Sequence, residues 1–157
     1  MNQSFAALLL AARRERQLVI ATALTDGAPS GQARQARLAQ QQGAGAAELR
    51  ADLLADPAQV RAALTAVRAA FSLPLLLTYR STTEGGKGAG HGQGYEDYLA
   101  SLLQLRPAVA AVDIEMACPA SKALVAEAKA GGYDVVGSCH DFTATPSAAQ
   151  IAEKLAQ

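Results

Sequence analysis

Pro74-Leu75-Leu76-Leu77-Thr78-Tyr79-Arg80 reads as a short buried strand that runs out into polar residues, and its flanks decide the fold. Upstream, Asp56-Pro57 is an N-cap with proline at the first helical position, opening an alanine-rich helix to about Ala70. Downstream come a glycine-rich loop at 87–94 and a helical stretch over about 95–105, closed by Pro107. The same rhythm runs outward in both directions. Residues 18–24 form a β-branched apolar run, followed by a polar-faced helix over 32–42 that stops at Gly43 and Gly45. Residues 46–51 make a second strand by composition. Beyond the central strand, 109–114 is strand, 121–130 is helix with Gly131-Gly132 as its stop, 134–139 is a fifth strand, and Thr145-Pro146-Ser147 opens a last helix. The first 17 residues read as an N-terminal helical segment built on the apolar run 5–12. Alternating strands and helices predict an α/β fold with a parallel sheet covered by helices, either doubly wound or a (β/α) barrel. A complete eight-stranded barrel takes about 250 residues. If the fold is a barrel, five strands in 157 residues make part of one, in a single partial domain over 1–157.

Composition narrows the function classes. Fourteen basic residues balance fourteen acidic ones, which leaves no electrostatic footprint for nucleic acid or an anionic membrane. No apolar run approaches the roughly 20 residues of a membrane span. The run at 5–12 precedes Arg13, Arg14 and Arg16, the reverse of a secretory signal's charge order, so the expected location is the cytoplasm. The two cysteines, Cys118 and Cys139, lack metal-ligand or redox-pair spacing and read as reduced thiols.

The polar residues fall where chemistry is expected. Glu48-Leu49-Arg50, Thr78-Tyr79-Arg80, Asp113-Ile114-Glu115 and Ser138-Cys139-His140 each end a strand. Alternation along a strand aims the first and third residue of each triplet the same way, toward the carboxyl ends of the strands where parallel α/β sheets place their sites. Solvent-bound strand ends are often polar singly; four such pairs together predict a charged pocket. His140 is the candidate general acid/base, because its ordinary pKa of about 6.5 suits proton transfer in both directions. Cys139 alternates to the opposite face, which disfavours a Cys-His nucleophilic pair. The loop from Glu84 to Gly94 matches neither a phosphate-binding nor a dinucleotide fingerprint. Glu84 lies where it could face a strand-end histidine, whereas Lys87 to Gly94 reads as a flexible surface loop with His91 exposed to solvent.

Taken together, Glu48-Leu49-Arg50-Ala51-Asp52, the run from Leu76 through Arg80 to Glu84-Gly85-Gly86, Val112-Asp113-Ile114-Glu115, and Ser138-Cys139-His140-Asp141-Phe142 with Thr145-Pro146 resemble the type I 3-dehydroquinate dehydratases, from about residue 18 onward. The resemblance implies a (β/α)8 barrel of which about the first five βα units are present. It implies dehydration of 3-dehydroquinate to 3-dehydroshikimate in the shikimate pathway, with no metal or other cofactor. By this likeness His140 is the base, Glu84 orients it, Glu48, Arg50 and Arg80 contact the substrate, and Asp113 lies in the surrounding polar shell. The family's Schiff-base lysine is expected on a sixth strand beyond Gln157; Lys87, Lys122, Lys129 and Lys154 do not match its place, and Lys154 reads as a solvated helix lysine. A hydroxyl that the family often supplies on the first strand is replaced by Ala21, with Thr22 facing away. A five-strand sheet has two open edges, so the expected partners are the small-molecule substrate and either a complementary chain or a homodimer mate. A non-catalytic module that binds a small hydroxy acid is the competing expectation.

Overall fold

The computed structural model describes residues 4–105 and 108–156, so the helix stop expected at Pro107 lies outside the described residues. Five strands, β1 (Ala21–Leu24), β2 (Ala46–Arg50), β3 (Leu75–Thr78), β4 (Ala111–Glu115) and β5 (Asp134–Ser138), form one parallel sheet in chain order. Sequential order with a helix in each connection is the topology of a barrel wall, since a doubly wound sheet reverses its strand order partway. Six helices accompany the strands: α1 (Phe5–Glu15), α2 (Pro29–Gln41), α3 (Pro57–Ala70), α4 (Gln93–Leu102), α5 (Ser121–Ala130) and α6 (Ala148–Leu155). Asp56 caps α3 by accepting the Gln59 N–H. Ser147 and Gln150 form a reciprocal capping box on α6, yet α6 buries none of its own residues.

Strand alternation splits the interior into two parts. Leu49, Leu75, Leu77, Val112 and Ile114 point outward under α2 to α5 and build the main apolar core with Val60, Leu64, Val67, Tyr95 and Leu99. The residues between them point to the concave face. Near the strand amino ends that face is apolar, with Ala46, Ala111, Leu76 and Val136 gathered round Phe5 of α1. Near the carboxyl ends it is polar.

The first strand is shorter than the apolar run suggested. Pairing with β2 begins at Ala21, opposite Ala46, and Leu18 and Ile20 lie exposed before it. Helix α2 starts three residues earlier than its polar face indicated, because Pro29 takes the first helical position. Helix α1 has both ends attached. Ser4 Oγ and the Ala6 N–H donate to Asp134 Oδ2 at 2.7 and 2.9 Å at the start of β5. Arg16, left-handed at φ 55°, ends the helix and turns the chain toward β1. The helix thus runs from one edge strand to the other across the amino end of the sheet.

Candidate active site

The carboxyl ends of β2 to β5 bring the expected polar residues together, and Arg80 lies at their centre. Its Nη1 donates to Ser138 Oγ at 2.8 Å and Glu115 Oε1 at 3.1 Å and lies 3.5 Å from Glu84 Oε2; its Nη2 is 2.9 Å from Asp113 Oδ1. Burial alone would favour loss of its proton, but Asp113 and Glu115 outweigh that and hold the guanidinium above its ordinary pKa. Arg80 is only 7% exposed, so its charge is spent on neighbouring carboxylates. For Asp113 the balance is reversed: burial pushes its carboxyl up despite Arg80 and Ser138.

Glu115, fully buried, was one of the inward residues of its triplet but was not among the expected site residues. It accepts the Ser81 N–H at 2.8 Å, the Ser81 hydroxyl at 2.6 Å, Arg80 Nη1 and, at 2.6 Å, His91 Nε2. A carboxylate has about four acceptor positions, and all are taken. Burial acts to raise Glu115, but the Ser81, His91 and Arg80 contacts hold it below the ordinary carboxylate range.

His91 and its loop correct the sequence expectation. The His91 side chain is 13% exposed and packs edge-on against Tyr95 at 5.5 Å. The first half of the loop is tied down: Gly86 N–H to Ser81 O, Gly88 N–H to Arg80 O, Lys87 N–H to Asp52 Oδ2 and Ala89 N–H to the Tyr79 hydroxyl. Glycine-rich composition suggested mobility. Close approach requires glycine at Gly88, where a Cβ would lie 2.8 Å from Arg80 O, and just before the loop at Gly86, 2.1 Å from the same oxygen, while Gly85, at φ +81°, packs against the Phe142 ring.

That packing brings Glu84 under His140. Glu84 Oε2 accepts the His140 backbone N–H at 3.0 Å and faces His140 Nδ1 at 2.7 Å. In a neutral ring a carboxylate partner fixes the proton on Nδ1 and leaves the Nε2 lone pair available. Phe142 stacks on the ring, which stays 40% exposed. Glu84 Oε1 is buried with no donor among the described residues.

Arg50 forks onto Asp52 with Nε and Nη2 each at 2.8 Å. That hydrogen-bonded pair raises Arg50, and it outweighs burial at Asp52, whose carboxyl falls below its ordinary value. Glu48 lies partly buried on the same concave face. Cys118 is buried and Cys139 exposed. Lys154, exposed as expected, is not purely solvated: its Nζ is 2.8 Å from Cys139 Sγ. Among the described residues, one group has ligand-like spacing: Glu84, His91 and Glu115 offer atoms within 4.8 Å of one another. Arg80 Nη1 lies 3.5 Å from Glu84 Oε2 and 3.1 Å from Glu115 Oε1, so a guanidinium already neutralises both carboxylates.

A parallel βα wall thus carries a carboxylate-held histidine at the end of its fifth strand and a buried arginine network beside it, at the end of the sheet where (β/α) barrels place their sites. A family model described as type I 3-dehydroquinase matches residues 20–157, and the chain belongs to that family. It is 35% identical over 123 residues to a 3-dehydroquinate dehydratase of Methanosarcina acetivorans, covering 76% of this chain and 51% of the relative. A Methanoregula boonei 3-dehydroquinate dehydratase is 38% identical over 128 residues, covering 81% and 54%. Among solved structures, a type I enzyme of Clostridium difficile superposes with TM-score 0.77 at 22% identity, covering 86% of this chain and 56% of that one. A 3-dehydroquinate dehydratase from Enterococcus faecalis gives 0.76 at 28% identity, covering 86% and 58%. The chain spans about half the length of the curated relatives it matches. Helix α1 lies before the matched span.

Proposed function

We propose that this chain supplies the base-bearing five βα units of a 3-dehydroquinate dehydratase, a carbon-oxygen lyase forming 3-dehydroshikimate. The observation that carries the reading is the Glu84 carboxylate on His140 Nδ1 at the carboxyl end of the sheet. His140 Nε2 takes the proton from the carbon beside the substrate ketone and returns it to the departing hydroxyl, so substrate becomes product plus water. Glu84 holds the ring in the tautomer this requires and stabilises the imidazolium. Activation of the ketone as an imine falls to a lysine outside the five units, which is why we assign that role to none of the chain's own lysines. Glu48 and Arg50 face the substrate. Arg50 keeps Nη1 free of protein partners among the described residues, whereas Arg80, enclosed by acidic groups, organises the site from beneath.

Electrostatics supports a shared site. Among the described residues, Glu48, Asp52, Glu84, Asp113 and Glu115 interact with two strong cations, Arg50 and Arg80, and Lys154 adds a weaker pull on Glu84. Such a surface binds hydroxyl groups well and a substrate carboxylate poorly, so the remaining strands must add positive charge. The donorless Glu84 Oε1 points the same way, since an unsatisfied buried acceptor costs about 1–3 kcal/mol. The open edges of β1 and β5 are where those strands join, and a groove of about 640 Å³ lined by Met116, Phe142, Ile151 and Leu155 flanks β5. We assign the partner as a complementary βα segment rather than a homodimer mate, and the location as the cytoplasm, in keeping with two unpaired thiols. No described helix is long and apolar enough to cross a membrane.

The test mixes the purified chain with a segment carrying the last three βα units of the Methanosarcina acetivorans relative and follows the conjugated product by ultraviolet absorbance. Turnover in the mixture, lost with His140→Ala, is the expected result. A mixture that associates stably and turns over equally well with His140→Ala would overturn the assignment.

A further inference from the structure

The geometry points to His91 as a positioning residue that sets the proton-transfer histidine from the far side of the site. It rests on the reading of His140 as the base, but it concerns a residue of the glycine-rich loop that this reading does not use. His91 Nε2 reaches Glu115 Oε2 at 2.6 Å, and its backbone N–H reaches Thr83 Oγ1 at 3.2 Å. Two routes lead from Glu115 to Glu84. One runs through Arg80, whose Nη1 is 3.1 Å from Glu115 and 3.5 Å from Glu84. The other runs through Ser81, which donates to Glu115 and whose Oγ accepts the Glu84 N–H at 3.2 Å, capping the short turn that carries Glu84. Glu84 then holds His140.

Among the described residues, His91 is the only donor to Glu115 from the loop beyond that turn; Ser81 and Arg80 both precede Glu84. Without His91, Oε2 keeps only the Ser81 hydroxyl. The buried carboxylate, then held by Ser81 and Arg80 alone, turns more of its charge onto Arg80, drawing the guanidinium off Glu84 and loosening the cap. Facing a carboxylate, a neutral His91 carries its proton on Nε2, the opposite tautomer to His140. The two rings therefore bracket the network with opposite polarity.

The chain has just two histidines, so long-range ¹H–¹⁵N spectra of the labelled protein resolve both rings without substrate. The wild-type chain is expected to show His91 protonated at Nε2 and His140 at Nδ1. His91→Phe keeps a ring but removes the donor, and His140 should then average between its tautomers; His91→Gln restores a donor nitrogen and should restore the His140 pattern. A His140 pattern unchanged in folded His91→Phe overturns the proposal, and so does a wild-type His91 ring that averages freely, a result that needs no variant to fold. In an active mixture with the complementary segment, His91→Phe should lower kcat about tenfold, a fraction of what a positioned base contributes, with KM nearly unchanged. Tautomer coupling without dehydration by the wild-type mixture would strike the dehydratase reading alone, and dehydration without coupling would strike His91 alone.

Discussion

A single carboxylate oxygen, Glu84 Oε2, accepts both the backbone N–H and the ring Nδ1–H of His140, at 3.0 and 2.7 Å. One atom thereby fixes where the residue sits and which way its ring faces. Glu84 is 3% exposed and the His140 side chain 40%, so the anchor is dry while the working nitrogen is open. In the completed enzyme, Glu84→Gln keeps an acceptor but removes the charge that stabilises imidazolium. It should lower kcat by about 10²-fold, and His140→Ala by about 10²–10⁴-fold, with imine formation intact in both. Steady-state absorbance of the conjugated product checks the first; borohydride reduction followed by intact mass checks the second.

Acid stability should report the Arg50–Asp52 fork. Asp52 and Glu115 both have carboxyls held below their ordinary range in the folded chain, despite burial that acts the other way. A carboxyl depressed in the folded state stabilises it above the unfolded value, near pH 4, and that contribution fades as pH falls through the lower folded value. The urea midpoint should therefore drop on acidification below about pH 4. Asp52→Asn should have a flatter acid limb and a lower midpoint at pH 7.

Helix α1 should act as a strap. A closed eight-stranded ring with strands about 4.8 Å apart and tilted by about 36° is about 15 Å across, and β1 and β5 stand opposite each other in it. An 11-residue helix is about 16 Å long. Asp134→Ala removes the anchor for Ser4 and Ala6 and should cost about 1–2 kcal/mol. Asp134→Asn, which keeps an acceptor, should cost less. Phe5→Ala, emptying the apolar end of the concave face, should cost about 2–3 kcal/mol, below the fully buried range. Urea denaturation measures all three.

Much of this architecture is legible from local patterns. Asp56-Pro57 fixes the start of α3 and Ser121–Ala130 is helix as read, because caps and glycine stops act within a turn or two. Strand alternation correctly put Glu48, Arg80, Asp113 and Ser138 on one face. What the sequence hides is long-range partnership. Glu115 and His91 are 24 positions apart and meet only because the loop folds back over Arg80. A glycine that permits close packing has the same letter as one that permits motion. Likewise, of the three carboxylates that surround Arg80, Asp113 and Glu115 come from β4 and meet it only in space.

Borohydride trapping distinguishes a chain that carries the base from one that carries the imine-forming lysine. The purified chain is incubated with 3-dehydroquinate and borohydride, alone and with the complementary segment, and every polypeptide is weighed intact. The expectation is an unlabelled 157-residue chain in both samples, with a reduced adduct on the segment. An adduct on Lys87, Lys122, Lys129 or Lys154, with dehydration by the chain alone at an ordinary enzymatic rate of roughly 1–10³ per second, would contradict it.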